Sequence, residues 1–560
     1  MKLGAKMITA LLATALCVSA CVVEDDDETT IVSSSDTVAT AATGSTFSPA
    51  NKIYIDLTNA QVSADNENWS DITTTSTDFF DETVKVKYTE TDAGASTGVI
   101  RVDAEDATAT LGVILSGTQT TGGVKIQTTT DYEVGVYLND VSITSTNYPC
   151  IDITKGGAAS VFVTGTNTLT DGRTYSTDYS SYSDNKGTLY CKGGMALVAP
   201  DGTGSLSITQ NYKSCIATKA NLSIESGTYT LTSTAVAVYD SSDGDYNSPA
   251  CINVDGNVAV SGGTVTGTAS GDGSKAITVD GTYTQSAGTV NVKATGSNIG
   301  SSSSARAGFP GSSGGSSGPG GGSSGTNPGS STGTNTDSSS SSGSASASAK
   351  GVKIDGAIMI SGGTLYARST SDEALESKST ITISGGEVLG YSTADDGINA
   401  ASDLTISGGY VCGYSSANDG IDANGNMYIK GGVVYAVCAK SPEVALDANT
   451  EQQKKLHISG GTIMTLGPLE SGASLTQDCY KASSWSANTN YGLKAGDTTY
   501  VFKTPSTTSG YGSGIVVSYA SKPTLTSGAT TSGGTSYFDG LLYVGGTAGS
   551  TSVSLSSYTN

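Results

Sequence analysis

The segment ITISGGEVLGYSTADDGINAASDLTISGG, residues 381–409, contains the repeat that decides the fold. It runs through an alternating apolar strand, a Gly-Gly pair, a second alternating strand, a polar turn and a short apolar segment, and then begins again. Gly-Gly pairs separated by 23, 23, 23 and 29 residues lie at 362–363, 385–386, 408–409, 431–432 and 460–461. Alternation with period two inside a fixed period near 23 is typical of stacked strand-and-turn repeats.

A second mark, a small residue followed by Ile or Leu, extends the repeat over both halves of the chain. It occurs at Cys150-Ile151, Cys215-Ile216, Cys251-Ile252, Ala276-Ile277, Ala374-Leu375, Gly397-Ile398, Gly420-Ile421 and Ala445-Leu446. The pattern predicts an all-β fold, a parallel β-helix with coils of about 23 residues, in which strands pair with the coils before and after. Because the open ends of such a stack are unpaired edges, we expect a β cap at each end.

The repeat and its flanks divide the chain into seven segments. In chain order we expect a lipoprotein signal peptide at 1–20, an acidic tether at 21–50, an N-terminal β cap at 51–134, the first part of the β-helix at 135–296, a disordered Ser/Gly-rich insertion at 297–349, the second part of the β-helix at 350–468 and a C-terminal β cap at 469–560. The insertion lacks periodicity, and the coil pattern resumes directly after it.

Charge and composition exclude several classes of function. The chain has 28 Lys and Arg against 51 Asp and Glu, a net charge of -23, so it lacks the cationic face that nucleic-acid binding requires. A single histidine, His457, excludes a His-rich zinc site. Any bound metal is therefore expected to be a hard cation held by oxygen atoms.

The N-terminal sequence is typical of an export signal. Lys2 and Lys6 precede a short apolar run that ends in Val18-Ser19-Ala20-Cys21, as in secretory signals. The last four residues resemble a bacterial lipobox, which implies cleavage before Cys21 and lipidation of its sulfur. The acidic run at 24–28 resembles an export tag for the cell exterior, a solvated tether being the alternative. We expect a surface-exposed outer-membrane lipoprotein that contacts the membrane through its lipid anchor only.

Stacking of the coils aligns the acidic turns of three successive repeats. It places Glu373, Asp396 and Asp419 in one ladder with neighbouring rungs about 4.8 Å apart. Carboxylates at that spacing repel, so the ladder needs protons, solvent or a cation, and its oxygen atoms suit Ca²⁺. The predicted metal ligands are Glu373, Glu376, Asp395, Asp396, Asn399, Asn418, Asp419 and Asp422. The alternative is that these side chains only solvate the turns.

Several of these turns resemble one known family. Asp395-Asp396-Gly397-Ile398 and Asn418-Asp419-Gly420-Ile421, with the segments 167–172 and 222–227, are similar to the bacterial carbohydrate-binding β-helix family typified by a clostridial polygalacturonate-binding protein. The resemblance spans residues 51–545 and implies a right-handed β-helix, calcium sites and affinity for acidic plant polysaccharide. It departs from the family at 212–216, which has no acidic residue. The fold also resembles pectate lyases, which use a lysine or arginine as base.

Four side chains are candidates for contact with the polysaccharide. Tyr391 and Tyr414 lie one coil apart at outward positions, where aromatic rings stack well on sugars; a strand-stabilising ladder is the alternative. Lys378 and Lys430 lie nearest in sequence to the acidic coils. For the two lysines, the alternatives are the base of a lyase and an ordinary surface position.

The combined prediction is a surface-anchored, calcium-dependent carbohydrate-binding protein for acidic polysaccharide of the polygalacturonate or pectin kind, without catalytic residues. Divalent ions explain how a chain of net charge -23 attracts a polyanion. Two alternatives stay open: an adhesin or structural surface spike without enzymatic activity, and a weak calcium-dependent polysaccharide lyase.

The lipobox generates a first testable prediction. Cys21→Ser removes the sulfur that would carry the lipid, and several acyl chains on one residue are needed for stable anchoring. We expect this variant to leave the membrane fraction for the soluble fraction. A variant that fractionates with membranes as the unaltered chain does would contradict lipidation at this cysteine.

Overall fold

The computed structural model describes residues 39–89, 98–173, 187–241, 244–300 and 345–559. The predicted signal peptide, Cys21, the first part of the acidic tether and most of the Ser/Gly-rich insertion lie outside these residues. Among the described residues, no helix combines the length and the apolar character needed to cross a membrane.

Strands in four sheets dominate the described chain, which contains no α-helix and three short 3-10 helices at Gly44–Thr46, Thr450–Gln452 and Phe538–Gly540. The largest sheet has 29 strands. They are Asn51–Asp56, Gln61–Ser63, Ser70–Asp71, Leu111–Gln119, Val134–Ser145, Ala159–Thr164, Thr166–Asp171, Met195–Val198, Ser205–Gln210, Leu222–Ile224, Thr228–Ser233, Val258–Val260, Thr264–Ala269, Tyr283–Gln285, Thr289–Ala294, Ile358–Ile360, Thr364–Ser369, Ile381–Ile383, Glu387–Ser392, Leu404–Ile406, Tyr410–Ser415, Met427–Ile429, Val433–Val437, Leu456–Ile458, Thr462–Leu466, Ser474–Leu475, Cys479–Ala482, Ile515–Ser518 and Ser556–Ser557.

A second sheet of 13 strands supplies the remaining strand of each repeat. Its strands are Thr77–Phe79, Val84–Tyr88, Ile100–Asp103, Val124–Gln127, Ile151–Thr154, Gly187–Cys191, Ser214–Thr218, Ala250–Val254, Lys275–Val279, Val352–Ile354, Leu375–Ser377, Ile398–Ala400 and Ile421–Ala423. The two smaller sheets are antiparallel. One is the hairpin Val238–Asp240 with Asp245–Asn247, and the other contains Asn490–Ala495, Thr498–Lys503, Thr524–Ser527, Thr535–Tyr537, Leu542–Val544 and Thr551–Val553.

The parallel strands pair in a register of one repeat. Ile381 lies opposite Ile358 on one side and Leu404 on the other, 23 residues away in each direction. Ile381 and Ile383 are fully buried, whereas Thr382 between them is exposed. The apolar positions of successive repeats therefore stack into one continuous core, and the expectation of an all-β fold with long parallel sheets is confirmed.

The register continues across the Ser/Gly-rich insertion. Ile277, which precedes it, pairs in parallel with Val352, which follows it, although 75 residues separate them in the chain. An antiparallel bridge between Ile299 and Ala347 joins the two flanks of the insertion. The last repeat before the insertion and the first repeat after it are thus direct neighbours.

The N-terminal end combines antiparallel hairpins with parallel strands. Gln61–Ser63 pairs antiparallel with Asn51–Asp56, whereas Asn51–Asp56 pairs in parallel with Leu111–Gln119. Parallel pairing thus begins inside the segment 51–134, where unequal strand spacing hides the repeat in the sequence. Upstream of it, Gly44 donates its backbone N–H to the Ser160 hydroxyl at 2.8 Å, so the end of the predicted tether contacts the parallel sheets.

At the C-terminal end, the six-stranded antiparallel sheet covers the outer side of the repeat strands. Aromatic side chains fill the contact: Tyr435 packs on Phe502 with ring centroids 5.5 Å apart, and Trp485 packs near Tyr511. The Tyr435 hydroxyl donates to the Lys503 carbonyl oxygen at 2.7 Å. This region therefore has its own apolar core, built on the outward residues of the last repeats.

Candidate functional site

A ladder of buried serines holds the acidic turns in place. The Ser392 hydroxyl donates to the carbonyl oxygen of Asp372 at 2.8 Å and accepts from the backbone N–H of Asp395 at 3.0 Å. Ser369 and Ser415 make the equivalent pair of bonds one repeat earlier and one repeat later. Each serine thus ties its own turn to the turn of the preceding repeat.

The acidic residues stack as the coil pattern predicts. Glu376 pairs with Asn399, and Asn399 pairs with Asp422, on adjacent parallel strands. In the neighbouring ladder, the backbone N–H of Asp419 donates to Asp396 Oδ1 at 3.1 Å. The side chains predicted as metal ligands are therefore brought together in adjacent columns, the acidic ladders.

A buried lysine closes one end of the acidic ladders. Lys350 Nζ lies 2.8 Å from Glu373 Oε2, 2.6 Å from Glu376 Oε2 and 3.4 Å from Asp372 Oδ1. The contact with Glu373 has an ion-pair distance but not hydrogen-bond geometry. All four side chains are buried, and none has more than 11% of its surface exposed. Buried charges of this kind are stable only when they are paired, so Lys350 is the fixed counter-ion of this end.

Burial and the charge of Lys350 determine which of these carboxyl groups hold a proton. Burial lowers the pKa of Lys350, but the carboxylates of Glu373, Glu376 and Asp372 raise it by more, so the ammonium stays charged. Burial and a hydrogen bond with Asp372 raise the pKa of Glu373, whereas that hydrogen bond and Lys350 outweigh burial and lower the pKa of Asp372. The Asp372–Glu373 pair therefore shares one proton near neutral pH.

One three-carboxylate group within the described ranges has oxygen atoms close enough to share an ion. Asp372, Glu373 and Asp395 each offer an oxygen within 4.8 Å of the others. Lys350 lies at ion-pair distance from two of the three. The oxygen donors suit a hard cation, but an ammonium already supplies positive charge at this point.

At the opposite end of the acidic ladders, the carboxyl groups of successive repeats lie close to one another. Burial and then the charges of Asp422, Asp395 and Asp419 raise the pKa of Asp396 well above its usual range. Burial raises the pKa of Asp419 to about 7. Asn399 and Asp422, in the neighbouring column, are partly exposed. Oxygen donors with unfavourable buried charge, open to solvent on one side, fit a hard cation such as Ca²⁺.

The two predicted sugar-contacting tyrosines form a ladder. The rings of Tyr391 and Tyr414 stack with centroids 4.4 Å apart and an interplanar angle of 15°. Tyr414 is 5% exposed, and its hydroxyl lies 2.8 Å from the hydroxyl of Tyr511 in the C-terminal region. The strand-stabilising alternative is therefore the arrangement that the structure contains, and the face of Tyr414 is covered. Sugar stacking on the half-buried Tyr391 stays a prediction.

The two predicted lysines lie on different sheets. Lys378 is exposed and forms an ion pair with Glu376, at the edge of the acidic ladders. Lys430 follows a strand of the 29-stranded sheet, and its ammonium lies 5.0 Å from the centre of the Tyr428 ring. Of the two, Lys378 is the one that the structure places beside the acidic residues.

Asp372, the serine ladder and Lys350 are the parts of the site that sequence reasoning missed. Asp372, Asp395 and Asn418 share one position of the repeat, as do Ser369, Ser392 and Ser415, so both sets were visible at a spacing of 23 residues. Lys350 occupies the position of Glu373 one repeat earlier. Its position in the repeat could not be assigned from the sequence, because it directly follows the insertion, where the register is hardest to align.

The fold and the site define a repeat-built all-β protein with buried ladders of carboxylates along one side of its parallel sheets. A family model described as carbohydrate-binding domain-containing protein matches residues 101–397, which is 297 of the 560 residues and more than half of the chain. The chain belongs to this family. Membership supports carbohydrate binding, suggests a polysaccharide partner and favours a non-catalytic role. Comparisons with curated proteins and with solved structures give no match.

The buried lysine generates a prediction about stability. Lys350→Met keeps the apolar stem but leaves Glu376 and its neighbours without their ammonium, which should lower the free energy of unfolding by about 3 kcal/mol or more at pH 7. The loss should shrink at pH 4, where the carboxyl groups take up protons. Thermal and urea unfolding test this, with the exposed Lys430→Met as the control. Equal stability of the two variants at pH 7 would contradict the role of Lys350.

A second prediction concerns pH in metal-free buffer. Burial and a hydrogen bond with Glu470 raise the pKa of Asp447 to about 9, from an ordinary value of 3.8. A group whose pKa is raised by folding contributes stability at low pH and loses it as pH rises through the folded value. The melting temperature should therefore fall between pH 5 and about pH 9.

The variant Asp447→Asn should make that fall shallower, because an amide has no proton to lose. The exposed Asp497→Asn is the matched control and should keep the wild-type slope. Melting curves of the three proteins between pH 5 and about pH 9 test this prediction. A wild-type melting temperature that rises over the whole range would show that the raised pKa of Asp447 does not govern stability.

Proposed function

We propose that the protein binds acidic polysaccharide of the polygalacturonate or pectin kind through Ca²⁺ held at the acidic ladders. The observation that carries the proposal is the column of buried carboxyl groups around Asp396 and Asp419, whose pKa values are raised by burial and by neighbouring acids. It lies in a chain that belongs to a carbohydrate-binding family.

The distribution of charge supports one position for the proposed ion. At the Glu373 end, Lys350 already neutralises the carboxylates, so a divalent ion gains little there. Around Asp396 and Asp419, burial and the neighbouring acids raise the pKa values, and a hard cation would offset the repulsion between the ionised carboxylates. We assign Asp396, Asn399, Asp419 and Asp422 as the principal ligands, with Asp395 and Asn418 beside them.

The ion would also solve the problem of attracting a polyanion. A chain with net charge -23 repels polygalacturonate at long range. Partly exposed ligands such as Asn399 and Asp422 leave a bound ion one side open to solvent. A sugar carboxylate can take up the open coordination positions, so that the ion bridges protein and polymer.

The finer architecture and the location belong to the same proposal. Parallel pairing one repeat apart, with three strands in each repeat, supports a right-handed parallel β-helix with β caps. The lipobox ending at Cys21 supports an outer-membrane lipoprotein that displays this β-helix at the cell surface.

The double variant Asp396→Asn/Asp419→Asn tests the calcium proposal. At a calcium concentration 100-fold above the dissociation constant, binding stabilises the folded state by about 2.7 kcal/mol. EDTA should lower the melting temperature of the wild type and barely change that of the double variant. The variant should also lose affinity for polygalacturonate in affinity electrophoresis, while its retardation by neutral glycans stays unchanged.

Asp131→Asn/Asp497→Asn is the matched control, because it removes two exposed carboxylates and the same net charge. It should respond to EDTA and to polygalacturonate as the wild type does. If EDTA leaves wild-type melting unchanged and the ladder variant binds the polymer normally, the ladder acids are only solvated turn residues. A surface adhesin or spike would then be the better function.

A calcium-dependent lyase is the second candidate. The observation that favours it is the lowered pKa of Lys275. Burial, followed by the charges of Lys353 and Lys350, lowers the pKa of Lys275 to about 8, which suits a base acting near neutral pH. Release of unsaturated uronate from polygalacturonate, abolished by Lys275→Met, would establish the lyase. Binding without such product would leave the protein a binding protein.

A further inference from the structure

The six-stranded C-terminal sheet contains a polar cavity outside the acidic ladders and outside the family match. It has a volume of about 580 Å³, and its lining includes Asn488, Asn490, Lys503, Thr531 and Tyr543. Binding sites for small molecules usually have volumes of about 300–1,000 Å³ and a few convergent polar groups. The cavity is thus large enough for one or two sugar rings.

Strand pairing explains why these side chains converge. Asn490 lies directly opposite Lys503 on adjacent antiparallel strands, and Tyr543 lies opposite Val501 on the next strand. Residues opposite each other, and residues two apart on one strand, face the same side of a sheet. Asn490, Lys503 and Tyr543 therefore share one face of the sheet.

The polar groups of the cavity are available to a ligand. Within the described part of the chain, no hydrogen bond or ion pair engages the side chains of Asn490, Lys503 or Tyr543. Asn488 has a left-handed backbone, φ +50°, and its N–H donates to the Pro505 carbonyl oxygen at 2.7 Å, so its position is fixed although its amide is exposed. Such strained positions are maintained where the surrounding structure holds them, often at binding sites.

The charge of the cavity selects the class of ligand. Among the described residues that line it, Lys503 supplies the one ammonium and none supplies a carboxylate. Asp539, next to the lining residue Gly540, is already engaged by the guanidinium of Arg368. In a chain of net charge -23, a polar cavity with a lysine and no acid in its lining favours an anionic ligand.

We propose that this cavity is a second saccharide site, independent of calcium, that binds a uronic acid residue. Lys503 would take the sugar carboxylate, Asn488 and Asn490 would exchange hydrogen bonds with hydroxyl groups, and the ring of Tyr543 would form the wall on which the pyranose packs. The site goes beyond the proposed function, because it uses none of the ladder residues and needs no ion.

Titration of the full chain with trigalacturonate in EDTA tests this proposal, with galactotriose as the neutral sugar of similar size. Wild type should bind trigalacturonate in EDTA. Lys503→Gln should weaken that binding about tenfold and change galactotriose binding by less than about twofold, because it removes one charge-assisted bond. Tyr543→Ala should weaken both sugars. Lys494→Gln, an exposed lysine of the same sheet, should behave as wild type.

The ladder variant Asp396→Asn/Asp419→Asn separates this site from the proposed function, because it should keep all EDTA-resistant binding. The melting temperature of each variant is measured first, and Tyr543→Leu, which also removes the aromatic ring, replaces Tyr543→Ala if the latter does not fold. Absence of EDTA-resistant binding in wild type overturns the proposal. So does trigalacturonate binding that Lys503→Gln leaves unchanged, or galactotriose binding as tight as that of trigalacturonate.

Discussion

In-register parallel stacking is the constraint on which the rest of the structure depends. Because each strand pairs with the strand one repeat away, whatever stands at a position in one repeat is stacked about 4.8 Å from its counterpart in the next. For Ile381 and its equivalents, this spacing builds a continuous core. For Ser392 and its equivalents, it builds a chain of hydrogen bonds that links turn to turn. For an acidic residue, the same spacing stacks like charges.

The stacked carboxyl groups are stabilised in different ways along the ladders. At the Glu373 end, the chain supplies its own cation, since Lys350 occupies the same position one repeat earlier. At Asp396 and Asp419, burial and neighbouring acids raise the pKa values, so proton binding lowers the repulsion between the stacked carboxylates. Protons and the proposed cation would lower the same electrostatic repulsion, so they would compete for this part of the ladder.

The repeat was predictable from sequence because Gly-Gly pairs and alternating strands recur at a constant 23 residues. The register of Glu376, Asn399 and Asp422 followed from it, and the strand pairing agrees. What was not predictable depends on contacts between distant segments. Tyr414 is covered by Tyr511, 97 residues later, and the periodic pattern of the sequence does not indicate that contact. Parallel pairing before residue 134 was missed because the strands there are unevenly spaced.

The two proposed saccharide sites differ in the origin of their positive charge. At the acidic ladders the charge would be an exchangeable ion, whereas in the C-terminal cavity it is the fixed ammonium of Lys503. A ligand held by both kinds of site on one chain pays its loss of translational freedom largely once, so that even weak sites reinforce each other on a long polymer. The benefit requires a ligand with many equivalent carboxylates. A polyuronate meets that requirement, and an isolated acidic sugar does not.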